Sequence, residues 1–232
     1  MAAATVKGTV AFGFALTAMP FLLHFLEPRD AVAVVVPLTT LLDFSILLQS
    51  RGHLAFQRVL PMLLLGAVGI PVGIYILLMV PGPPLKVFIA ATVLLLAVLL
   101  SLGVSIPIRR ERLARGLAGF LSGTLVTSAG MAGPPMVLLL LNQRVDRDEF
   151  RPTLASVLVL LNFFGVVSLT ASRTITPHTA LLSLILVPGA LLGFFVASQS
   201  LRYLNAVWFR RLTIAVVMAA AVAALISAAI TV

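Results

Sequence analysis

The chain contains no cysteine, which excludes disulfides, thiolate metal sites and cysteine nucleophiles and leaves its redox compartment open. Charge is scarce as well. Only 10% of residues are charged, and the 7 acidic residues are outnumbered by 16 lysines and arginines. The 3 histidines, His24, His53 and His178, have no metal-ligand spacing, and no H-E-x-x-H occurs. No G-x-S-x-G elbow and no Walker loop is present. A metal centre, a serine hydrolase site and an ATP-driven pump within one chain thus lack their chemistry, and no cofactor is expected. An intramembrane or lipid-modifying enzyme is the weaker alternative on the same ground.

What the chain has in excess is apolar surface. Hydrophobic residues make up 61% of its 232 residues and the mean hydropathy is +1.17, against roughly 45–50% apolar residues in soluble domains. Stretches such as "VAVVVPLTTLLDFSILL" and "FIAATVLLLAVLLSL" approach the ~20 apolar residues that cross a bilayer. Eight such segments are expected, at about 5–26, 31–49, 58–80, 84–104, 113–142, 151–171, 177–199 and 206–230. They predict an all-α polytopic membrane protein in a lipid bilayer. The net charge of +9 sits in short basic loops, as positive-inside topology requires, and does not indicate nucleic acid. The N-terminal "MAAATVKGTVAFGFALTAMP" has the outline of a signal peptide, but an internal repeat uses the segment.

That repeat is weak. Pro20 before "FLLHFL" matches Pro135 before "MVLLLL", Asp43 in "LLDF" matches Asn162 in "LLNF", and Gly69 and Gly73 match Gly189 and Gly193. Two halves follow: residues 1–104, a linker loop at 105–115 on the cytoplasmic side, and residues 116–232. If every segment crossed, the 16 basic residues would divide evenly between the two faces. If segments 1 and 5 each enter and return, only Lys7, Arg29, Lys86 and Arg173 stay on one face and the other 12 share the opposite face. The charge pattern therefore predicts two inverted repeats in which segments 1 and 5 are broken or re-entrant half-helices.

Segment 5 carries the break in "TSAGMAGPPMVLLLLNQ", residues 127–143. Interrupting a helix in lipid frees backbone groups at a cost of several kcal/mol unless protein or a watered cavity satisfies them. The N-terminus of a half-helix offers unpaired N–H donors and about half a positive charge, which suits an anion. Thr127 and Ser128 would add hydroxyl donors, and Gly130, Met131, Gly133 and Pro134 would form the backbone cradle. A kink that only fits neighbouring helices is the plainer reading of the same residues. In the first half "FALTAMP" offers Thr17 as its hydroxyl.

Asp43 lies inside an apolar run, where a charged Asp costs about 2.5–3.5 kcal/mol on insertion scales, so it is a candidate for proton coupling. Thr39 and Thr40 share its helix face, and Asn162 is its neutral counterpart. The bland alternative is an Asp that joins helices by hydrogen bonding. Arg151 is placed to steer an anion bidentately or to serve topology at the interface. Gly66, Gly69, Gly73, Gly116, Gly119 and Gly123 are read as contacts for close helix packing.

The run "GFLSGTLVTSAGMAGPPMVLLLLNQRVDRDEFRPTL", with its Gly-rich helix, "MAGPP" break and basic "FR", resembles the second-half signature of the TauE/SafE sulfite exporter family. "PGALLGFFVAS" and the two-half plan are also similar to that family. The resemblance implies a bacterial inner-membrane transporter of a small anion: sulfite, thiosulfate or an organosulfonate. It carries Ser128, Gly130, Gly133, Pro134 and Arg151 over as site positions. The first half departs from the family in lacking a "GxGGG" type run. A carrier of another small anion and a non-transporting subunit of a larger complex are the alternatives. The chain leaves oligomeric state open, a homodimer included.

Overall fold

A computed structural model describes residues 13–49, 56–102, 110–143, 145, 147–200, 218 and 222. Among these the secondary structure is helical throughout: α1 Phe14–Phe25, α2 Pro28–Gln49, α3 Phe56–Met79, α4 Gly82–Leu102, α5 Glu111–Ala129, α6 Gly133–Asn142, α7 Arg147–Ala171 and α8 Pro177–Ser200. The expected eighth segment, 206–230, falls almost wholly outside the described residues, as do residues 5–12 of the first.

In lipid, a helix is one of two forms that satisfy every backbone polar group internally. Five helices (α2, α3, α4, α7 and α8) are long and apolar enough to cross a bilayer. α1 and α6 are apolar but have only 12 and 10 residues. At 1.5 Å per residue these reach roughly 18 and 15 Å, about half the hydrocarbon core. The outward faces are also apolar: Leu64, Leu184 and Ile185 are 61%, 67% and 64% exposed. In water such faces would be an interaction surface; on helices of this length they meet acyl chains. The chain is an integral, multi-pass membrane protein.

Contacts across the bundle give the helix directions. α3 and α5 run the same way, because Gly119 lies against Met62, Gly123 against Gly66, and Gly73 against Thr127. α7 runs with them, with Leu161 beside Gly66 and Val126 beside Gly165. Since α5 and α7 point alike and only α6 separates them, the chain must turn back through α6. Segment 5 is therefore a hairpin of one long and one short helix, broken at Gly130–Ala132. α2 runs against α7: Val36 meets Gly165 while Asp43, seven residues on, meets Asn162. Equivalent helices of the two halves thus run in opposite directions.

Element order repeats at a nearly constant shift. α1 and α6 start 119 residues apart, α2 and α7 likewise, and α3 and α8 start 121 apart. One sequence pairing does not survive this register. Pro20 lies inside the continuous helix α1, while Pro135 is in the first turn of α6; at the structural offset the partner of Pro135 is Leu16. α1 is capped at Gly13, whose φ of 98° is left-handed, and it continues through Pro20 without a break. As the seventh residue of α1, Pro20 has no N–H to give the Leu16 carbonyl, and the helix continues past it.

Small residues let α3 and α5 approach until backbones touch. A Cβ added at Gly123 would land on the Gly66 carbonyl, and one at Gly69 on the Phe120 carbonyl. Thr127 Oγ1 donates across this seam to the Ile70 carbonyl at 2.9 Å. At the end of α3, Arg29 caps the helix: its Nε and Nη2 donate to the Leu77 and Leu78 carbonyls at 3.1 and 2.8 Å. One of the four basic residues on the less basic face is thereby accounted for as a C-terminal cap.

The cysteine-free chain suits single-cysteine labelling. Arg110→Cys and Val145→Cys are expected to react with a membrane-impermeant maleimide from the cytoplasmic side alone, and Pro81→Cys and Thr176→Cys from the opposite side alone. Labelling of positions 110 and 145 from opposite sides would show that α5 and α6 cross as one span.

Candidate functional site

The starts of the two short helices converge. α1 opens at Gly13 and α6 at Gly133, and residues from both starts line one small cavity: Gly13, Phe14, Ala15 and Leu16 from the first, Met131, Ala132, Gly133 and Pro134 from the second. Thr39 of α2 and Leu158 and Asn162 of α7 complete it. Its volume is about 20 Å³, room for roughly one water. At the offset of 119 most of the wall is paired: Gly13 with Ala132, Phe14 with Gly133, Ala15 with Pro134 and Thr39 with Leu158. The cavity lies where the two halves face each other.

Helix geometry decides what it offers. The first four N–H groups of a helix have no partner within it. In α1 they belong to Gly13, Phe14, Ala15 and Leu16, since the first intrahelical bond runs from the Thr17 N–H to the Gly13 carbonyl at 3.0 Å. In α6 the same places are held by Ala132, Gly133, Pro134 and Pro135, and prolines have no N–H to give. Six backbone donors without an intrahelical partner thus sit on residues that line the cavity, and neither helix has a side-chain N-cap. The positive ends of two half-helix dipoles meet there from opposite directions.

The break that makes this possible rests on Gly130. It ends α5 at φ 70°, a left-handed conformation that L side chains adopt only at a cost. The Gly130 N–H and the Met131 N–H both donate to the Leu125 carbonyl, the latter at 3.0 Å. Met19 and Val35 pack 3.5 Å from where a Cβ would stand.

The residues proposed from sequence divide into two groups. Met131, Gly133, Pro134 and Asn162 line the cavity, and Gly130 forms the turn beside it. Thr127, Ser128 and Thr17 are buried but turned elsewhere. Thr127 is spent on the α3 seam, and Ser128 Oγ donates to the Thr124 carbonyl of its own helix at 2.7 Å. Thr17 Oγ1 donates to the Gly13 carbonyl at 2.9 Å and lines a separate, largely apolar cavity of about 360 Å³ between α1 and α8. Arg151 lies in the second turn of α7, and its side chain is outside the described residues. No group of three or more metal-ligating side chains occurs among the described residues.

Asp43 and Asn162 come together. Asn162 Nδ2 donates to Asp43 Oδ2 at 2.9 Å, and both residues are completely buried. Asn162 lines the cavity and Asp43 stands behind it.

The sequence profile described as Sulfite exporter TauE/SafE matches residues 1–224, nearly the whole chain. The chain belongs to the TauE/SafE sulfite exporter family. That membership makes it a membrane transporter of sulfur anions. No curated protein and no solved structure matches it significantly.

Sequence reasoning missed the α1 half of the cavity. Gly13 through Leu16 contribute four of the six backbone donors, yet nothing in their side chains marks them. The available signal was the offset: applied at 119 in place of 115, it sets Phe14 opposite Gly133 and Thr9 opposite Ser128. Thr9 lies outside the described residues.

Proposed function

We propose that this protein moves sulfite, or a related small sulfur oxoanion or organosulfonate, outward across a bacterial inner membrane by alternating access, holding it between the starts of α1 and α6. The observation that carries the reading is the set of six backbone N–H groups, none with an intrahelical partner, on residues around one small cavity. An oxyanion supplies many acceptors and a negative charge, which match converging N–H donors and two dipole ends. Among the described residues no lysine or arginine lines the cavity, and that also suits a carrier: a fixed opposite charge would hold the anion too tightly to release it. Neutral peptide dipoles bind, exclude bulk water and let go.

At about 20 Å³ the cavity is too small for a polyatomic oxyanion, so this conformation is closed around the site. Loading requires the walls to part. The inverted halves supply the two directions in which they can do so, each exposing the site to one side. Family membership and the apolar spans support a lipid-embedded carrier; Gly130, Met131, Gly133, Pro134 and Asn162 are the side of the cradle contributed by the second half.

Purified protein in liposomes tests the reading. Sulfite, thiosulfate, a small sulfonate and sulfate are offered in parallel, and saturable flux of at least one sulfur anion is expected. Ser128→Ala is expected to change KM by less than about threefold, because its hydroxyl is bonded within α5 and lies off the cavity. No saturable flux of any sulfur anion from folded, inserted protein would falsify the proposal.

A further inference from the structure

Resting on that transport reading, we propose that the buried Asp43–Asn162 pair is a proton-controlled donor switch, so that the site takes its anion together with a proton on Asp43. The two residues are equivalents in the two halves, 119 positions apart, and they are hydrogen-bonded to each other. Equivalent positions can touch only where the local axis relating the halves passes between them. The pair therefore stands close to that axis, beside the cavity.

The chemistry follows from what each group can donate. An ionised carboxylate only accepts hydrogen bonds, whereas an amide has an NH2 end that donates and a carbonyl end that accepts. Facing Asp43, Asn162 has turned its Nδ2 to the carboxylate. Its other end, Oδ1, is buried and has no hydrogen-bond partner, and the residue lines the cavity. In this arrangement the Nδ2 end of the amide is turned to Asp43, and the carbonyl end is the one left for a ligand in the cavity that Asn162 lines. Asn162 opposes binding.

Protonation reverses the sign. A proton arriving from water adds to the Asp43 carboxylate and makes it an O–H donor. Asn162 can then turn about its terminal torsion, which has two broad minima. Its Oδ1 accepts from the Asp43 O–H, and its NH2 is released to donate to the bound anion. No covalent bond in the anion changes; one proton is bound at loading and leaves at release. The burial of both groups sharpens the contrast, because unmatched polar ends have no water to turn to.

His24 of α1, Tyr75 of α3, Lys86 of α4, Arg115 of α5, Glu149 of α7 and His178 of α8 all lie within five residues of a helix end. Asp43 is the sixteenth residue of the 22 in α2. Carrying a monoanion with a proton makes the cycle electroneutral, whereas a monoanion alone would exchange roughly 2.3 kcal/mol per 100 mV with the membrane potential.

The test compares KM in proteoliposomes for wild type and Asp43→Asn from pH 5.5 to 8.5, using whichever anion of the four is carried. The ratio of the two KM values cancels the anion's own titration. The amide introduced by Asp43→Asn presents a donor to Asn162 at every pH, so the ratio of wild type to variant is expected to rise about tenfold from the acidic to the alkaline end. That is the effect of one hydrogen bond to a charged ligand gained or lost, at about 1.4 kcal/mol per tenfold. Lumenal pH should also shift with wild-type flux of a small sulfonate, or of any carried anion, in proportion to the anion moved.

A flat ratio across this range overturns the switch. If Asp43→Asn does not fold, Asn162→Leu replaces it. That variant has no amide to turn, so wild-type KM should fall toward acid relative to the variant's; parallel profiles overturn the proposal. Absence of flux from wild type overturns the transport reading itself, a result distinct from flux with a flat ratio.

Discussion

Gly123→Ala is expected to lower the apparent melting temperature in detergent by roughly 6–12 °C and to reduce the yield of monodisperse protein, whereas Gly82→Ala leaves both unchanged or slightly improved. The two changes add the same methyl group to a helix. In an exposed helix interior the substitution would gain up to about 1 kcal/mol of propensity. At Gly82 a Cβ meets nothing within 4 Å. At Gly123 it overlaps the Gly66 carbonyl oxygen, with the Gly66 carbonyl carbon and Cα at 2.7 and 2.9 Å. Backbone atoms cannot rotate away as a side chain does, so α3 and α5 must separate, losing the packing that runs from Met62 to Thr127. Overpacking of a tight core costs typically 1–3 kcal/mol and occasionally more, and backbone on backbone belongs at the upper end. With about 2–4 °C per kcal/mol for a chain of this size, ~3 kcal/mol gives the range stated. Equal melting curves for the two variants would mean that α3 and α5 do not touch at these glycines.

Leu16→Pro is expected to raise KM for the transported anion about tenfold or more while the protein stays folded. Residue 16 is the third helical position of α1, where the N–H has no intrahelical partner and proline is tolerated. The other half already carries Pro135 at the equivalent place. The substitution therefore deletes one backbone donor from the cavity and little else from the backbone. A hydrogen bond to a charged group contributes about 1.5–3 kcal/mol, or roughly 10- to 150-fold in affinity. Leu16 is also buried, 5% exposed, so loss of its side chain must be separated from loss of its N–H. Leu16→Ala does this: it keeps the donor while removing the packing, at a cost of ~2–5 kcal/mol in stability, and KM should change less than about threefold. If both variants raise KM alike, the N–H is not a ligand donor and the cavity needs another reading.

The residues show why some features were legible in the sequence and others were not. Spans declare themselves because lipid demands about 20 apolar residues in a row, and α2, α4, α7 and α8 fall close to the expected limits. The break at Gly130–Pro135 was legible because glycine and proline act on the backbone locally. The hairpin of segment 5 could be inferred from the distribution of basic residues, since charge reports which face a loop occupies. Gly66, Gly69, Gly73, Gly119 and Gly123 gave their packing role away by spacing alone.

The hydroxyls of Thr127 and Ser128 were harder. Their place next to the break suggested ligand donors, yet a hydroxyl in a helix readily bonds the carbonyl one turn back, as Ser128 does, or a neighbouring helix, as Thr127 does. Which partner it finds depends on what packs against it. In the same way Pro20 resembled Pro135 by its neighbours, while the helix register paired it with nothing special.

What the sequence determined by itself is the class of molecule and where its backbone is interrupted: composition selects lipid as the solvent, and glycine and proline set φ and remove N–H groups wherever they stand. Only the tertiary structure decided that the start of α1 meets the start of α6, that Asn162 turns its amide to Asp43, and that six N–H groups without an intrahelical partner sit on residues around one small cavity. Those facts depend on residues about 119 positions apart, and distance along the chain is bridged by packing, which no local rule of composition or propensity encodes.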